Sequence, residues 1–257
     1  MVSLVASEGF QVVIPARLGS TRLVRKPLVD IAGETMIVRV VKRACESGAD
    51  QVIVATDHED IVDTVTRAGY DAEMTRPDHA SGSDRVMEVV ARRGWSEKTI
   101  VINVQGDEPL IPPAVIRQLA EALKADQRMG AVTLCTPILA PEELADPDVV
   151  KLVRGVDHAA LYFSRAELPH VRGHGSFSPA NHHLRHIGVY GFRVGVLQRF
   201  VELPASPLEQ LERLEQLRLL ENAIRLDVLD ACESVPHGVD TPRDVERVRA
   251  LLELPRP

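Results

Sequence analysis

Gln11-Val-Val-Ile-Pro15 is an apolar run of strand length that leads directly into the polar segment Ala16-Arg-Leu-Gly-Ser-Thr-Arg-Leu-Val-Arg-Lys26. The run predicts a buried strand of a parallel sheet that ends at the proline. The polar segment predicts a loop that holds four cations: Arg17, Arg22, Arg25 and Lys26. Cations together with backbone N–H groups at a strand end suit a polyphosphate, although a solvated basic loop is the alternative. The loop matches neither Gly-x-x-x-x-Gly-Lys-Ser/Thr nor Gly-x-Gly-x-x-Gly, which argues against a P-loop kinase and a dinucleotide-binding dehydrogenase.

Apolar runs of strand length alternate with amphipathic segments along the first 140 residues. The predicted strands lie at residues 51–56, 71–75, 99–104 and 130–137, and the predicted helices at residues 36–45, 57–68, 84–93 and 113–125. This order predicts an α/β fold with a mostly parallel sheet and helices on both faces. Ligands of such sheets bind at the carboxyl ends of the strands. Polar loops at residues 16–26, 76–85 and 105–109 follow predicted strands, so we expect them to converge on one site.

The pattern changes after residue 141. Strand-like runs follow without long helices between them, at residues 149–153, 159–164 and 187–192. This change predicts a smaller lobe at residues 141–190 beside a core formed by residues 10–140 and 191–257. One long helix is then predicted over residues 207–222, with four leucines on its inward face: Leu208, Leu211, Leu214 and Leu217. A last helix is predicted over residues 243–252.

The composition argues against several classes of protein. Of the 257 residues, 45% are hydrophobic and 26% are charged, so we expect the chain to fold rather than to remain disordered. A net charge of −7 without a basic stripe argues against nucleic acid as the main partner. No apolar run is long enough to span a membrane, and the first ten residues lack the pattern of a secretory signal. Cys45, Cys135 and Cys232 form neither a disulfide framework nor a metal pattern, which indicates the reducing cytoplasm.

Two aspartates are candidates for holding a divalent metal. Asp107 lies in Gln105-Gly-Asp-Glu-Pro109, directly after a predicted buried strand. Mg²⁺ prefers one or two carboxylates together with substrate phosphates, although a simple turn is the alternative at this position. Glu108 is also suited to capping the next helix. Asp240 lies in Gly238-Val-Asp-Thr-Pro242, which by itself is more typical of a helix start than of a ligand.

Two further polar segments allow more than one interpretation. His79-Ala-Ser-Gly-Ser-Asp-Arg85 is rich in small residues, which bring backbone close to a ligand or simply form a loop. The histidine-rich stretch at residues 170–186 lacks tight metal-ligand spacing. We therefore interpret His182 and His183 as part of a surface loop rather than as metal ligands.

Ten segments, spread in order over residues 11–250, together resemble one family. They are Ile14-Pro-Ala-Arg17, the spacing of Arg22 from Lys26-Pro-Leu28, Ala55-Thr-Asp57, Ser81-Gly-Ser-Asp-Arg85, Val104-Gln-Gly-Asp-Glu-Pro109, Tyr162-Phe-Ser-Arg165, Leu184-Arg-His-Ile-Gly-Val-Tyr-Gly191, Ser206-Pro-Leu-Glu209, Leu214-Glu-Gln-Leu-Arg218 and Val239-Asp-Thr-Pro242. The chain resembles the 3-deoxy-manno-octulosonate cytidylyltransferase (CMP-Kdo synthetase) family over nearly its whole length. One departure is Val24, which stands where the family usually has proline.

The resemblance implies a fold and an activity. It implies a Rossmann-like nucleotidyltransferase fold, with the lobe at residues 141–190 binding sugar and forming a homodimer. The implied reaction transfers CMP from CTP to the anomeric hydroxyl of 3-deoxy-D-manno-octulosonate (Kdo), and it needs Mg²⁺. Its products are pyrophosphate and CMP-Kdo, a precursor of lipopolysaccharide. Alternatives are a cytidylyltransferase for 8-amino-Kdo or sialic acid, and a non-catalytic nucleotide-binding module.

The resemblance also implies roles for individual residues. The triphosphate would be held by Arg17, Lys26 and the neighbouring Arg22, and the metal by Asp107 and Asp240. The segments that contact cytosine would include Ala16, Ser81, Gly82 and Arg85. The positions that line the acid-sugar pocket would be Gln105, Arg165, His186, Tyr190, Glu215 and Gln216.

Overall fold

The computed structural model describes residues 9–19, 22–172 and 183–253. The strands are β1 (Phe10–Ala16), β2 (Asp30–Ile31), β3 (Glu34–Thr35), β4 (Gln51–Thr56), β5 (Asp71–Met74), β6 (Ile100–Asn103), β7 (Ala131–Pro137), β8 (Lys151–Arg154), β9 (Ala160–Ser164), β10 (Leu184–Arg193) and β11 (Asp227–Asp230). The α-helices are α1 (Met36–Cys45), α2 (Glu59–Arg67), α3 (Gly82–Arg93), α4 (Pro113–Ala125), α5 (Pro141–Ala145), α6 (Val194–Glu202), α7 (Pro207–Glu212), α8 (Leu217–Glu221) and α9 (Pro242–Glu253).

The main sheet is mixed but mostly parallel at its centre. Its strand order is β11-β7-β10-β6-β1-β4-β5. The pairs β6-β1, β1-β4, β4-β5 and β11-β7 are parallel, whereas β10 runs antiparallel to both β6 and β7. The predicted α/β fold is confirmed, and the parallel order of the centre brings the carboxyl ends of β1, β4 and β6 to one edge.

Helices cover both faces of this sheet. On one face, Ile37 of α1 and Leu119 of α4 pack in the same hydrophobic cluster as Ile14 and Ile102 of the central strands. On the other face, Val86 of α3 and Phe200 of α6 pack in a second cluster, with Val13 and Val101. Strand side chains alternate between the two faces of the sheet. A strand that is buried on both faces therefore has a continuous run of apolar residues in its sequence.

A hairpin extends the sheet at residues 151–164. β8 pairs with β9 and with the first residues of β10, where Leu184 lies opposite Leu152. The boundary predicted at residue 190 falls inside β10, which runs on into the core sheet. The lobe at residues 141–190 remains a prediction. Of its histidine-rich stretch, His174 and His182 lie outside the described residues. The surface position expected for His183 is wrong, because His183 is buried and its ring hydrogen-bonds the Leu168 carbonyl at 2.9 Å.

The prediction of one helix over residues 207–222 is wrong. The chain forms the two short helices α7 and α8, because Arg213 has the left-handed backbone φ of 56° that ends a helix. Leu211 is 80% exposed, whereas Leu214 and Leu217 are buried. The break leaves Glu215 and Gln216 between the helices rather than on a helical face. The strand β11 and the helix α6 were not predicted.

Candidate active site

A cavity of about 740 Å³ opens at the carboxyl ends of β1 and β6. The end of β1, the loop after it, the start of α3 and the loop after β6 line this cavity, together with the turn before α9. It contains ten of the residues that the sequence singled out: Ala16, Arg17, Arg22, Lys26, Ser81, Gly82, Arg85, Gln105, Asp107 and Asp240. The predicted convergence of three polar loops is therefore seen in the structure.

Lys26 lies between the two candidate metal ligands. Its Nζ is 2.5 Å from Asp107 Oδ2 and 2.8 Å from Asp240 Oδ1. Burial by itself lowers the pKa of Lys26, but the charges and hydrogen bonds of Asp107 and Asp240 outweigh it and hold this pKa above its usual value. The Asp107 and Asp240 carboxylates thus face one shared position, which the Lys26 ammonium occupies.

The loops that carry the two aspartates pack directly against each other. The backbone N–H of Val239 donates to the Asp107 carbonyl at 2.9 Å. A Cβ added at Gly238 would lie 3.0 Å from Glu108 Oε1 and 3.2 Å from the Asp107 oxygen, so glycine permits this close approach. Burial, and then the charge of Asp107, raises the pKa of Glu108 to about 8.

The cations of the loop after β1 have different partners. Arg22 contacts Asp240 at 3.0 Å and Asp148 at 3.5 Å, which links the loop to the segment before β8. Arg25 pairs with Asp60 of α2 at 2.5 Å instead and is not among the residues that line the cavity. Val24, at the departure from the family pattern, is 77% exposed.

The start of α3 is fixed by its own side chains. Ser81 and Asp84 form a capping box, in which each side chain accepts from the backbone N–H of the other. Arg85 is buried, and its guanidinium donates to Asp57 at 2.9 Å and to Thr75 at 2.6 Å. Its charge is therefore already paired, and Arg85 holds α3 against the ends of β4 and β5.

His79 lines the cavity and was not among the predicted site residues. Its Nε2 is paired with the Glu88 carboxylate of α3, which also accepts from the backbone N–H of Arg76. Burial by itself raises the pKa of Glu88, but His79 and Arg76 hold it below its usual value. The signal in the sequence was its place in the small-residue loop at residues 79–85.

Five predicted sugar-pocket residues do not line the cavity: Arg165, His186, Tyr190, Glu215 and Gln216. Glu215 lies behind the start of α3, where its Oε1 accepts from Ser83 Oγ at 2.9 Å, and burial raises its pKa. The Arg165 guanidinium donates to the carbonyls of Glu212 and Pro147, each at 2.8 Å. These backbone contacts, rather than the cavity, account for where Arg165 lies.

His186 and Tyr190 lie side by side on β10. Their ring centroids are 5.4 Å apart, and the His186 ring hydrogen-bonds Thr133 Oγ1 at 3.0 Å. Burial, and then the charge of Arg185, lowers the pKa of His186 to about 3, so its imidazole is neutral. Burial, and then the charge of Glu215, raises the pKa of Tyr190.

Asp107 and Asp240 fit a hydrated magnesium ion. Within residues 9–19, 22–172 and 183–253, no group of three or more histidine, cysteine or carboxylate side chains is placed to hold a metal. Mg²⁺ does not need such a cage, because it keeps several waters and takes one or two carboxylates together with substrate phosphates. The Lys26 ammonium between the two aspartates shows that their shared position accepts a cation.

A loop rich in cations and a pair of carboxylates lie together at the strand ends of a mostly parallel sheet, an arrangement that suits the class of nucleotidyltransferases. The sequence model of one family, described as cytidylyltransferase, matches residues 11–226. The chain belongs to this cytidylyltransferase family, and the resemblance identified in the sequence is confirmed.

The described part of the chain contains no helix long and apolar enough to cross a membrane.

Solved structures agree with this assignment. The chain is 42% identical to a structure of CMP:2-keto-3-deoxy-manno-octonic acid synthetase complexed with CTP. The match covers 95% of this chain and 98% of the other, with a TM-score of 0.86. A cytidylyltransferase from Leptospira borgpetersenii (16% identity, 94% and 85% coverage, TM-score 0.60) shares the fold. So does a nucleotidyl transferase from Methanothermobacter thermautotroptrophicus (17% identity, 95% and 97% coverage, TM-score 0.58).

Proposed function

We propose that this enzyme transfers CMP from CTP to the anomeric hydroxyl of Kdo and releases pyrophosphate. The observation that carries the proposal is the cluster of Lys26, Asp107 and Asp240 in the cavity. The similarity to CMP:2-keto-3-deoxy-manno-octonic acid synthetase in complex with CTP, at 42% identity over nearly the whole chain, supports the choice of nucleotide and sugar. The product, CMP-Kdo, would serve lipopolysaccharide synthesis.

The triphosphate of CTP is the group that Arg17, Arg22 and Lys26 would hold. All three residues line the same cavity as the small-residue loop at the start of α3. Transfer of a nucleotidyl group depends mainly on positioning and on neutralising charge as pyrophosphate leaves. Three cations that converge on one cavity supply that neutralisation without any covalent intermediate.

Asp107 and Asp240 would hold Mg²⁺. When bound, the ion would neutralise phosphate charge and lower the pKa of the attacking hydroxyl, so that no dedicated protein base is needed. The task of these two side chains is to fix its position. The hydrogen bond from Val239 to the Asp107 carbonyl keeps their loops together.

The base of CTP would lie against backbone near Ala16 and the start of α3. A Cβ at Gly82 would lie 3.3 Å from Pro15 Cγ, so the small-residue loop packs closely onto the end of β1. Ser81 and Gly82 line the cavity there. Arg85, whose guanidinium is paired with Asp57 and Thr75, would act by holding this loop rather than by contacting the base.

The acid sugar would bind next to Gln105, on the side of the cavity nearer to Tyr190. Tyr190 lies opposite Asn103 in the sheet, and Asn103 precedes Gln105 by two residues in the chain. Burial leaves Glu215 Oε2 and Gln216 Nε2 without protein partners within the described residues, and such atoms suit the hydroxyls of a sugar. Neutral His186 and, after release of its backbone contacts, Arg165 would complete this subsite.

We further propose a homodimer that assembles through the lobe at residues 141–190 and works in the cytoplasm. In support of the dimer, Val156 and Leu161 expose large apolar side chains near and on β9, a strand that pairs only with β8 among the described residues. In support of the cytoplasm, Cys45, Cys135 and Cys232 are all unpaired. Light scattering at micromolar protein tests the dimer, and a monomer would contradict it.

Pyrophosphate release separates the candidate sugars. Purified enzyme receives CTP and Mg²⁺ with Kdo, with 8-amino-Kdo, with sialic acid or with no sugar. Release with Kdo far above the other reactions supports the proposal. Release with a different sugar keeps cytidylyl transfer and reassigns the acceptor. CTP binding without release in any reaction favours the non-catalytic module.

A further inference from the structure

Asn103 is a buried polar side chain whose nearest neighbours on its face of the sheet belong to a hydrophobic cluster. It is the last residue of β6, and its neighbours across the two strand pairs are Val13 and Tyr190. Because strand side chains alternate, it shares its face with Val101. All three of these neighbours belong to the hydrophobic cluster beneath α3 and α6. Asn103 itself is 0% exposed.

The two ends of the Asn103 amide differ in their partners. Its Oδ1 accepts a hydrogen bond from Gln105 Nε2 at 3.3 Å, whereas its Nδ2 has no partner within the described residues. A buried amide donor without an acceptor costs folding free energy. Leucine has a similar size and would remove that cost, so stability does not explain an asparagine at this position.

Gln105 connects Asn103 to the cavity. Gln105 lines the cavity, and its Oε1 is 3.8 Å from the place that a Cβ at Gly82 would take. An amide carries its donor and its acceptor on opposite sides. The hydrogen bond to Asn103 Oδ1 therefore turns Nε2 of Gln105 inward and Oε1 toward the start of α3.

We propose that Asn103 is a positioning residue that orients Gln105 for the acid sugar, an inference that rests on the proposed function. Asn103 Oδ1 holds the Gln105 amide in one orientation, with Oε1 as the acceptor for a hydroxyl of a polyhydroxylated acid sugar. Without this bond the Gln105 side chain rotates freely, so sugar binding must also order it. The entropy lost in ordering the side chain weakens the binding of the sugar. CTP binding does not depend on this bond, because the triphosphate cations lie in the loop after β1.

The test compares Asn103→Leu, Gln105→Met and the double variant with the wild type. We expect Asn103→Leu to melt at or above the wild-type temperature. Its KM and Kd for Kdo rise about tenfold, the worth of one hydrogen bond, while its KM for CTP is unchanged. The double variant is no weaker than Gln105→Met alone, because Asn103 acts through Gln105. If the leucine variant does not fold, the smaller Asn103→Ala serves in the same comparison.

Ser47→Ala is the matched control for removing a buried polar group. Ser47 is 1% exposed, follows α1 and donates to the Ala44 carbonyl at 2.6 Å. This variant leaves both KM values unchanged, whatever it does to the melting temperature.

Three results would overturn the role of Asn103. They are a lower melting temperature with unchanged kinetics, additive effects in the double variant, and a wild-type KM for Kdo in Gln105→Met. Calorimetric binding of Kdo in the presence of CTP separates this role from the proposed function. Wild-type protein that binds Kdo without releasing pyrophosphate contradicts the proposed function, and the Kd values then still decide the role of Asn103. Protein that binds no acid sugar contradicts both.

Discussion

Lys26 Nζ lies 2.5 Å from Asp107 Oδ2 although 81 residues separate them in the chain. Asp240, 214 residues from Lys26, completes the cluster at 2.8 Å. The ammonium thus offsets part of the negative charge of the two carboxylates at the position where the proposed Mg²⁺ would bind. The Lys26 ammonium and a metal ion would compete for the same pair of carboxylates, so the ammonium should weaken the binding of the ion.

Replacing Lys26 by methionine should strengthen the binding of metal alone. Without nucleotide, the ammonium opposes entry of a divalent ion, so we expect Lys26→Met to bind Mn²⁺ about tenfold more tightly, as for removal of a nearby like charge. The same variant should bind CTP with metal more weakly, because a phosphate contact is lost. Titration of Mn²⁺ by electron paramagnetic resonance measures the first effect. Lys98→Met is the control, and unchanged Mn²⁺ affinity in Lys26→Met would contradict the competition.

Asp107→Asn should lose most turnover while the protein stays folded. The amide keeps the size of the side chain but removes the charge that would hold the metal, so we expect kcat to fall on the order of a hundredfold or more. Steady-state pyrophosphate release measures this effect, with circular dichroism as the check on folding. The exposed Asp78→Asn serves as the matched control. Near-normal turnover of Asp107→Asn would refute the metal assignment.

Gly238→Ala should disturb the site through its geometry rather than its charge. The added Cβ would lie 3.0 Å from Glu108 Oε1 and 3.2 Å from the Asp107 carbonyl oxygen, so the turn that carries Asp240 or the atoms that it meets must give way. We expect about a tenfold loss of kcat/KM, typical of a small misplacement of a binding group, with the charges of all the site residues unchanged. Measured kcat/KM at wild-type level would show that the loops tolerate separation.

Glu209 should contribute to stability in a pH-dependent way. Burial by itself raises the pKa of Glu209, but hydrogen bonds from Arg218 and from the Ser206 N–H lower it below its usual value. A lowered folded-state pKa gives stability that is present above the ordinary value of 4.5 and is lost as the pH falls through the folded value. We expect Glu209→Gln to cost about 2 kcal/mol at pH 7.

Urea unfolding at several pH values checks this expectation. The difference between Glu209→Gln and wild type should shrink as the pH falls below 4.5. The exposed Glu246, which pairs with Arg249 at 2.8 Å, gives the control variant Glu246→Gln with little cost. A difference that stays constant from pH 7 to acid would contradict a role for the carboxylate charge.

Much of the core and of the side of the cavity that carries the cations could be predicted from the sequence. The strands β1, β4 and β6 are short apolar runs, and the polar residues after β1 and β6 converge because parallel strands end at one edge. The features that could not be predicted depend on contacts between residues far apart in the chain or on an unusual backbone conformation. Arg213 ends α7 with a positive φ usually taken by glycine, so the leucine spacing around it is misleading. The Arg165 guanidinium could pair with a carboxylate, but it donates to two backbone carbonyls instead. No sequence motif predicts these two hydrogen bonds.

Phosphorus NMR of the complete reaction tests the central claim most directly. Enzyme, CTP, Mg²⁺ and Kdo are mixed, and the spectrum is followed for a sugar phosphodiester and for pyrophosphate. We predict that both signals appear in equal amounts and only when Kdo is present. Pyrophosphate with free CMP in place of the phosphodiester, or no reaction by folded enzyme that binds CTP and Kdo, would contradict the account.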